Sequence, residues 1–462
     1  MLSRTIPLGL AALSLGCGSD PVRAGEPGTG DSSTGSDNDS TGNSFPTAPG
    51  TTGSSGEELD TTDADTDSSS EGGATTEAPW PRPDPGPFCG DGTVDPDEEC
   101  DDGDEPKKDG PCNDDCVVSA AILWDTVVPP KGEGACGETV AVSDAGAIVV
   151  GGTSRMGDEH VNAWLGALDE QGELQWSQSW DGGGGERDEV LDVDTDAQGN
   201  VYAFTTQQIT FQRGWLSKRN PSGVEAWNVQ LLTEAGENST ARSLAVDADG
   251  TATVLGMHWG DYEGHRMQRF DTDGVPVWAV DIHNGLSIAA SSIDLDPLGG
   301  IRVALMLETK KGARATILRF DEMGAPSWSA QSGPPPGGDP QGATSAEGIS
   351  SLVLRDQFDS QLVVRSWDSN GANPDAFAPG FERNITLSDA AYGPEGDLYV
   401  VGHEHDAAWT LRIDPSGALA WSRRNSEARY ANAVAVAPGG DVVVAGCTES
   451  TDGAIWVRRY SP

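Results

Sequence analysis

Three consecutive residues late in the chain, His403-Glu404-His405, carry side chains that bind transition metals. They follow residues 400–402 (Val-Val-Gly), which have the composition of a β-strand. Side chains alternate between the two faces of a strand, so His403 and His405 would lie on one side and could share an ion. A solvated loop after the strand explains the same residues and is the commoner arrangement. We therefore keep the two histidines as a candidate metal site, with a solvated loop as the alternative interpretation.

A second set of possible metal ligands lies among the aspartates of residues 89–116. Asp91, Asp95 and Asp97 offer carboxylate oxygens, the ligands that Ca²⁺ prefers. Their spacing differs from that of an EF-hand, because no glycine stands where such a loop must turn sharply. Solvated turn residues are the interpretation we favour, so the sequence predicts no cofactor and keeps calcium as an alternative.

Motifs for nucleophilic or phosphate chemistry are missing from the sequence. There is no Gly-x-Ser-x-Gly elbow and no phosphate-binding Gly-x-x-x-x-Gly-Lys-[Ser/Thr] loop. Four consecutive glycines at 182–185 lack the strand-to-helix context of a dinucleotide site. We therefore predict no catalytic residues.

The N-terminus has the features of an export signal. Arg4 precedes an apolar run at 8–15, and a small residue, Gly16, stands directly before Cys17. This stretch resembles a bacterial lipoprotein signal, which implies removal of residues 1–16 and lipidation of Cys17. It departs from that pattern at Ser14, where leucine is commonest. An ordinary cleaved signal, giving a secreted protein, is the alternative.

A long polar segment follows at 17–87, composed mainly of Ser, Thr, Gly, Asp, Glu and Pro. Such a composition cannot bury enough apolar surface to offset its conformational entropy, so we expect a disordered acidic linker. The whole chain has 28 basic and 74 acidic residues and a net charge of −46, which would repel a nucleic acid. No later stretch approaches the roughly 20 apolar residues of a membrane span, so we expect membrane attachment through the lipid alone.

Four closely spaced cysteines predict a small disulfide-rich module at 88–118, since an exported chain meets an oxidising environment. Three pairings are open for Cys89, Cys100, Cys112 and Cys116. The Cys-Gly-Asp-Gly start, the Glu-Cys-Asp-Asp-Gly centre at 99–103 and the Asp-Gly at 109–110 resemble the Myxococcus-type cysteine-rich repeat of surface proteins. The resemblance fails at Asp104, where Asn is more usual, and at the inserted Pro111.

The remainder, 119–462, is a repeat of two alternating halves. One half is a short alternating run, an Asp/Gly/Pro turn and a β-branched run, which is a hairpin signature. The other is a strand, an Asp-x-x-Gly turn and a strand that contains Trp. Seven first halves occur, at 139–152, 191–206, 244–256, 292–306, 351–365, 388–402 and 433–446. Four strands per unit at this spacing predict an all-β fold, a seven-bladed β-propeller.

The last unit lacks one outer strand, and a spare strand containing Trp stands before the first unit at 121–128. We therefore predict that this N-terminal strand completes the seventh blade, which would pair both terminal edges. Cys136 and Cys447 flank the same closure, and we predict a disulfide between them rather than two buried thiols. The fifth unit is irregular from Trp367 to Phe381.

The Asp-x-x-Gly-x-x-x-Trp element resembles the repeats of quinoprotein-like propellers and of bacterial seven-bladed repeat proteins. The resemblance implies that the tryptophans pack between blades rather than forming a row of ligand sites. Quinone enzymes of this kind are usually eight-bladed with Thr-Gly turns, whereas the turns here read Gln-Gly, Ser-Gly, Asp-Gly and Met-Gly. The equivalent tryptophans are Trp124, Trp176, Trp227, Trp278, Trp328 and Trp421.

Together these observations predict a monomeric, lipid-anchored protein of the outer membrane or cell surface. The absence of catalytic motifs favours a non-catalytic role in which the propeller binds a protein or glycan. The alternatives are an extracytoplasmic propeller enzyme (a hydrolase, lyase or quinone-type dehydrogenase) and a structural surface spacer.

Overall fold

A computed structural model describes residues 120–128, 134–155, 160–183, 187–208, 212–231, 238–259, 264–282, 287–309, 312–332, 340–356, 361–381, 383, 385–405, 407–448 and 453–462. The predictions for residues 1–16, 17–87 and 88–118 lie outside these residues. The same holds for Cys17, for Asp91, Asp95 and Asp97, and for Cys89, Cys100, Cys112 and Cys116. No helix within the described residues is long and apolar enough to cross a membrane.

The described chain forms seven four-stranded antiparallel sheets, the blades of a β-propeller, as the repeat predicted. Blade one contains β2 (Gly134–Val142), β3 (Ile148–Arg155), β4 (Val161–Leu168) and β5 (Leu174–Trp180). Blade two contains β6 (Glu189–Thr195), β7 (Val201–Gln208), β8 (Gln212–Arg219) and β9 (Glu225–Gln230). Blade three contains β10 (Asn238–Val246), β11 (Ala252–Trp259), β12 (Gly264–Phe270) and β13 (Pro276–Ile282). Blade four contains β14 (Ser287–Leu295), β15 (Ile301–Thr309), β16 (Gly312–Phe320) and β17 (Pro326–Gln331).

The remaining blades are less regular. Blade five contains β18 (Gln341–Thr344), β19 (Ser350–Arg355), β20 (Leu362–Trp367) and β21 (Asp375–Phe377). Blade six contains β22 (Thr386–Tyr392), β23 (Leu398–Glu404), β24 (Ala407–Ile413) and β25 (Leu419–Asn425). Blade seven contains β26 (Tyr430–Val436), β27 (Val442–Cys447), β28 (Ile455–Tyr460) and, from the start of the domain, β1 (Ile122–Val128).

The first strand of each blade is the innermost one. It contacts the first strand of the next blade, and β26 contacts β2 to complete the circle. Two faces follow from this order. The turn face carries the tight turns within each hairpin, and the loop face carries the connections between blades and those between second and third strands.

The Asp-x-x-Gly motif is explained by its hydrogen bonds. In blade one, Asp169 Oδ1 accepts the backbone N–H groups of Gln171 and Glu173 at 3.0 and 2.9 Å. The glycine of the motif has positive φ, +80° at Gly172, which glycine adopts without a Cβ clash. In blade two Asn220 replaces the aspartate. Its Oδ1 accepts the equivalent two bonds, from the backbone N–H groups of Ser222 and Val224, so the turn is preserved.

The tryptophans lie against these glycines in the next blade. A Cβ on Gly223 would come 2.8 Å from a ring carbon of Trp176, so the turn leaves room for the indole only because glycine is there. Trp176 Nε1 also donates to the carbonyl of Pro221 at 2.9 Å. The same donor bond joins Trp124, Trp227, Trp278 and Trp328 to the turns of the following blades.

Two blades depart from this packing. In blade five β21 has three residues, and Phe377 takes the place of the indole against Gly417. In blade six Trp421 faces blade seven, where the outer strand beside β28 is β1 rather than a strand connected through an Asp-x-x-Gly turn. Trp421 is buried, its ring lies 5.9 Å from that of Tyr460, and its Nε1 has no partner among the described residues.

The predicted N-terminal closure is confirmed. β1 pairs antiparallel with β28, matching Asp125 with Arg458. Asp125 accepts bonds from Trp456 Nε1 at 2.8 Å and from the Nε of buried Arg458 at 3.0 Å. Cys136 and Cys447 form a disulfide with Cα atoms 4.8 Å apart. Cys136 lies within β2 and Cys447 ends β27, so the bond joins blade one to blade seven; we call this boundary the seam.

Candidate functional site

A cavity of about 360 Å³ opens on the loop face beside the seam. We call it the seam pocket and define it by its polar lining residues, Glu138, Arg155, Arg187, His403, Tyr430 and Asn432. These side chains come from blades one, six and seven and from the loop that enters blade two. Both cysteines of the seam disulfide also line it, so the closure of the ring builds this pocket.

β-Bulges place two of these side chains. The pairing of β2 with β3 shifts between Gly137 and Thr139, which leaves Glu138 as an extra residue. The pairing of β26 with β27 shifts in the same way at Asn432. Bulges redirect side chains out of the regular alternation. Asn432 Nδ2 donates to Glu138 Oε2 at 3.1 Å and to the carbonyl of Gly137 at 2.9 Å, so the bulges of blades one and seven bind each other.

The Glu138 carboxyl has a raised pKa. Burial is the largest cause, the nearby charge of Glu189 raises the pKa further, and Arg187 lowers it. Arg187 in turn donates from Nε to Glu189 Oε2 at 2.6 Å. The carboxyl is therefore easier to protonate than an ordinary glutamate, which suits a group that donates or accepts a proton at a ligand.

Of the two histidines predicted to bind a metal, His403 lines the pocket. Its ring meets that of Tyr430 edge-on, with centroids 4.7 Å apart. Burial lowers the pKa of His403, and the positive charge of Arg429 lowers it further, so the neutral imidazole is favoured. Its buried Nδ1 has no hydrogen-bond partner among the described residues.

Arg155 supplies a positive charge to the pocket. It ends β3 and lines the pocket, and its guanidinium makes no hydrogen bond or ion pair with any residue that the structure describes. The pocket thus presents a guanidinium, an imidazole, a carboxyl, an amide and a phenol to one cavity. Such a set can hold a polar ligand through several hydrogen bonds.

His405 does not join His403 in the way the strand pattern predicted. β23 ends at Glu404, and His405 is exposed with a φ of 51°, so the two-residue alternation stops before it. Among the described residues, no group of three His, Cys, Asp or Glu side chains is arranged to hold a metal ion. A metal bound by His403 and His405 stays a prediction that this geometry does not favour.

A second cavity lies at the irregular fifth blade, on the turn face. It has a volume of about 440 Å³, and Phe377, Trp367 and Tyr392 line it together with several carboxylates. The short β21 and the replacement of Trp by Phe377 leave space between blades five and six. The sequence had pointed to blade five for its irregularity, and the structure places a cavity there.

Half-buried carboxylates on the inner strands join neighbouring blades. Asp192 accepts from Thr139 Oγ1 in blade one and Ser243 Oγ in blade three, both at 3.0 Å. Asp389 in blade six accepts from the backbone N–H of Val434 in blade seven at 2.9 Å. These bonds give the aspartates a structural role.

Five residues of the seam pocket were not singled out in the sequence: Glu138, Arg155, Arg187, Tyr430 and Asn432. Bulges depend on pairing between strands and leave no local motif, so Glu138 and Asn432 read as ordinary strand residues. The usable signal was the position of Cys136 and Cys447, because it marked the region where these side chains converge.

Comparisons with known proteins give no family for the chain. No protein-family model matches it, and no curated protein matches it. A protein of unknown function from Bacteroides caccae is similar in structure, with a TM-score of 0.42, 13% identity, and coverage of 63% of this chain and 97% of that one. A protein of unknown function from Dyadobacter fermentans has a TM-score of 0.46 and 11% identity, over 74% of this chain and 99% of that one.

Proposed function

We propose that this protein is a non-catalytic binding protein held outside the cell, whose propeller binds a protein or glycan partner at the seam pocket. The observation that carries the proposal is the convergence of Glu138, Arg155, His403 and Asn432 on one cavity of about 360 Å³. Binding sites of proteins are commonly concave and of this size, with a few polar groups that fix orientation. Loops on a rigid scaffold are suited to recognition, and the propeller supplies such a scaffold.

The location rests on the N-terminal sequence. A lipid on Cys17 would anchor the chain to the outer membrane or cell surface, and residues 17–87 would hold the propeller away from the membrane. Replacing Cys17 by Ala should move the protein from the membrane fraction into the medium, with acyl modification lost by mass spectrometry. An unchanged membrane fraction would contradict the anchor.

An extracytoplasmic hydrolase or lyase is a second candidate, favoured by one observation. Glu138 and His403 line the same cavity with pKa values shifted in opposite directions, and such pairs can act as general acid and base. We place binding first because the cavity combines several polar groups that can hold a ligand, whereas only Glu138 and His403 point to acid–base chemistry.

One experiment separates the two candidates. The full-length protein and its Glu138→Gln variant are incubated with purified surface polysaccharide and secreted protein from the producing cells. Binding predicts that a retained partner keeps its mass and that Glu138→Gln weakens retention. Glu170→Gln, which alters an exposed side chain on the turn face, should retain the partner normally. Cleavage of the partner would appear as new sugar reducing ends or new peptide termini. If the wild type produces them and Glu138→Gln does not, the protein is an enzyme and the binding role is wrong.

A further inference from the structure

One buried position of the repeat is occupied by a charged residue in a single blade. The residue directly before the Asp-x-x-Gly turn, or its equivalent at the end of β28, is buried in all seven blades. It is apolar in six of them and Arg219 in blade two, where the residue is 7% exposed. The six apolar residues are Leu168, Phe270, Phe320, Trp367, Ile413 and Tyr460.

The six apolar residues fill the interface with the preceding blade. Phe270 packs with Tyr202, Phe204 and Leu216 of blade two, and Phe320 belongs to the core between blades three and four. The core between blades one and two lacks such a residue and is instead rich in alanine: Ala141, Ala163, Ala167 and Ala203. Trp176 and Trp180 pack against this core, and its small side chains, together with Arg219 in place of a large apolar residue, leave a groove beside them.

A groove of about 750 Å³ results between blades one and two. We call it the interblade groove and define it by Gln178, Trp180, Gln207, Arg219, Glu225 and Asn228. Serine and threonine hydroxyls supply further polar groups along its wall. Its volume lies within the range of known ligand sites.

Arg219 is fixed within the groove. Its Nη1 donates to Gln178 Oε1 at 2.8 Å and its Nη2 to Glu225 Oε2 at 3.0 Å. The guanidinium lies 5.1 Å from the ring centroid of Trp180, a cation–π distance. Its buried Nε has no hydrogen-bond partner among the described residues.

This arrangement is unfavourable for folding alone. A buried cation loses its hydration, and an unpaired buried donor adds to that penalty. The repeat shows six times that an apolar side chain packs well at the same position. A charged group kept on the wall of a groove, at a position that is apolar in the six other blades, is typical of a binding site.

We infer that the interblade groove binds a saccharide chain, with the Arg219 guanidinium and the side-chain amides of the groove donating to sugar oxygens and the indole of Trp180 packing against the apolar face of a sugar ring. Amides and hydroxyls both donate and accept, which matches the adjacent hydroxyls of a sugar. Among the described residues that line the groove, Trp180 is the one aromatic side chain and most of the others are polar, so a saccharide fits it better than a peptide. The inference rests on the proposed binding role but not on the seam pocket.

The test uses the full-length protein on an array of neutral and uronic-acid-containing oligosaccharides, followed by calorimetry with the best-bound one. Arg219→Leu introduces the residue that blade one has at this position. It should weaken binding at least about tenfold, the effect of losing a charged hydrogen bond, while the unfolding midpoint stays the same or rises. Trp180→Ala should also weaken binding.

Phe270→Leu is the matched control, since it places leucine at the same position of blade three, and it should bind normally. Arg155→Ala tests the seam pocket separately, because an oligosaccharide bound there would lose affinity in this variant. Binding that is lost in Arg155→Ala and kept in Arg219→Leu would overturn the groove site while supporting the binding role. Absence of any bound oligosaccharide, or equal affinity in wild type and Arg219→Leu, would overturn the inference.

Discussion

At the scale of single residues, four carboxyl groups on the inner strands have raised pKa values. Burial raises the pKa of Asp192 to about 6 and of Asp194, Asp294 and Asp389 to about 7. The charges of Asp192 and Asp294 raise the pKa of other members of this set, whereas hydrogen bonds from neighbouring blades lower it. Because desolvation is the largest cause, these groups favour the protonated form more than an unfolded chain does.

This predicts a pH dependence of stability. Between about pH 4 and pH 7 the folded protein binds more protons than the unfolded chain, so the free energy of unfolding falls as pH rises. Each shifted group contributes about 1.4 kcal/mol per pK unit of its shift. Urea unfolding between pH 4.5 and pH 8 should show stability highest at the acid end of the range; a constant or rising stability would contradict the burial of these charges.

Asp194→Asn separates this effect from general charge repulsion. Asp194 accepts the N–H groups of Thr195 and Val246 on different oxygens, and an amide keeps one acceptor. The variant should lose about 1 kcal/mol at pH 5, where one hydrogen bond is removed, and its stability should fall less toward pH 8. Asp273→Asn removes an exposed carboxylate and should follow the wild-type slope.

At the scale of elements, the contact between each aromatic side chain and the following glycine turn is the repeated link between blades. Gly223 combines a φ of +83° with a ring carbon of Trp176 2.8 Å from a hypothetical Cβ. The positive φ disfavours any residue with a Cβ, and the ring of Trp176 leaves no space for one.

Gly223→Ala should therefore destabilise the fold by about 2–4 kcal/mol, the sum of a positive-φ penalty and an overpacking penalty. Gly183→Ala provides the control, because Gly183 has a φ of +94° and no described atom lies within 4 Å of its hypothetical Cβ. That variant should lose about 1 kcal/mol. Equal unfolding midpoints for the two alanine variants would show that the indole contact contributes nothing.

The closing strand depends on Asp125. Removing its carboxylate in Asp125→Ala leaves Arg458, whose side chain is 2% exposed, without its ion pair. Loss of one partner of a buried pair is costly, and the partial exposure of Asp125 reduces the effect to about 2–3 kcal/mol. Asp441→Ala removes the partner of the more exposed Arg459 and should cost about 1 kcal/mol in chemical denaturation. A larger loss of stability in Asp441→Ala than in Asp125→Ala would contradict the importance of β1 for the closure.

The sequence contained enough information to predict the elements but not all of their contacts. The incomplete last unit and the strand at 121–128 together required the β1–β28 pairing, since an unpaired edge is unfavourable. Alternation and turn motifs also fixed the blade count. The meeting of Glu138 with Asn432 could not be predicted, because it depends on two bulges in strands far apart in the chain. Arg219 was detectable by aligning the residues before the Asp-x-x-Gly turns, where it alone is charged.

At the scale of the whole molecule, the ring is closed where both ends of the propeller meet. β1 pairs with β28, and the Cys136–Cys447 bond spans 311 residues. On the chain-entropy model a loop of this length stabilises the fold by about 5 kcal/mol. The seam pocket lies at this junction, so the stability of the closure and the shape of the proposed binding site depend on the same residues.

The most direct test of this account is mass mapping of the seam cysteines. The purified protein is denatured without reductant, treated with an alkylating reagent and digested. We predict a linked peptide pair that contains Cys136 and Cys447, with neither thiol alkylated, and alkylation of Cys447 in a Cys136→Ser variant. Alkylation of both cysteines in the unreduced wild type would contradict the covalent closure of the ring.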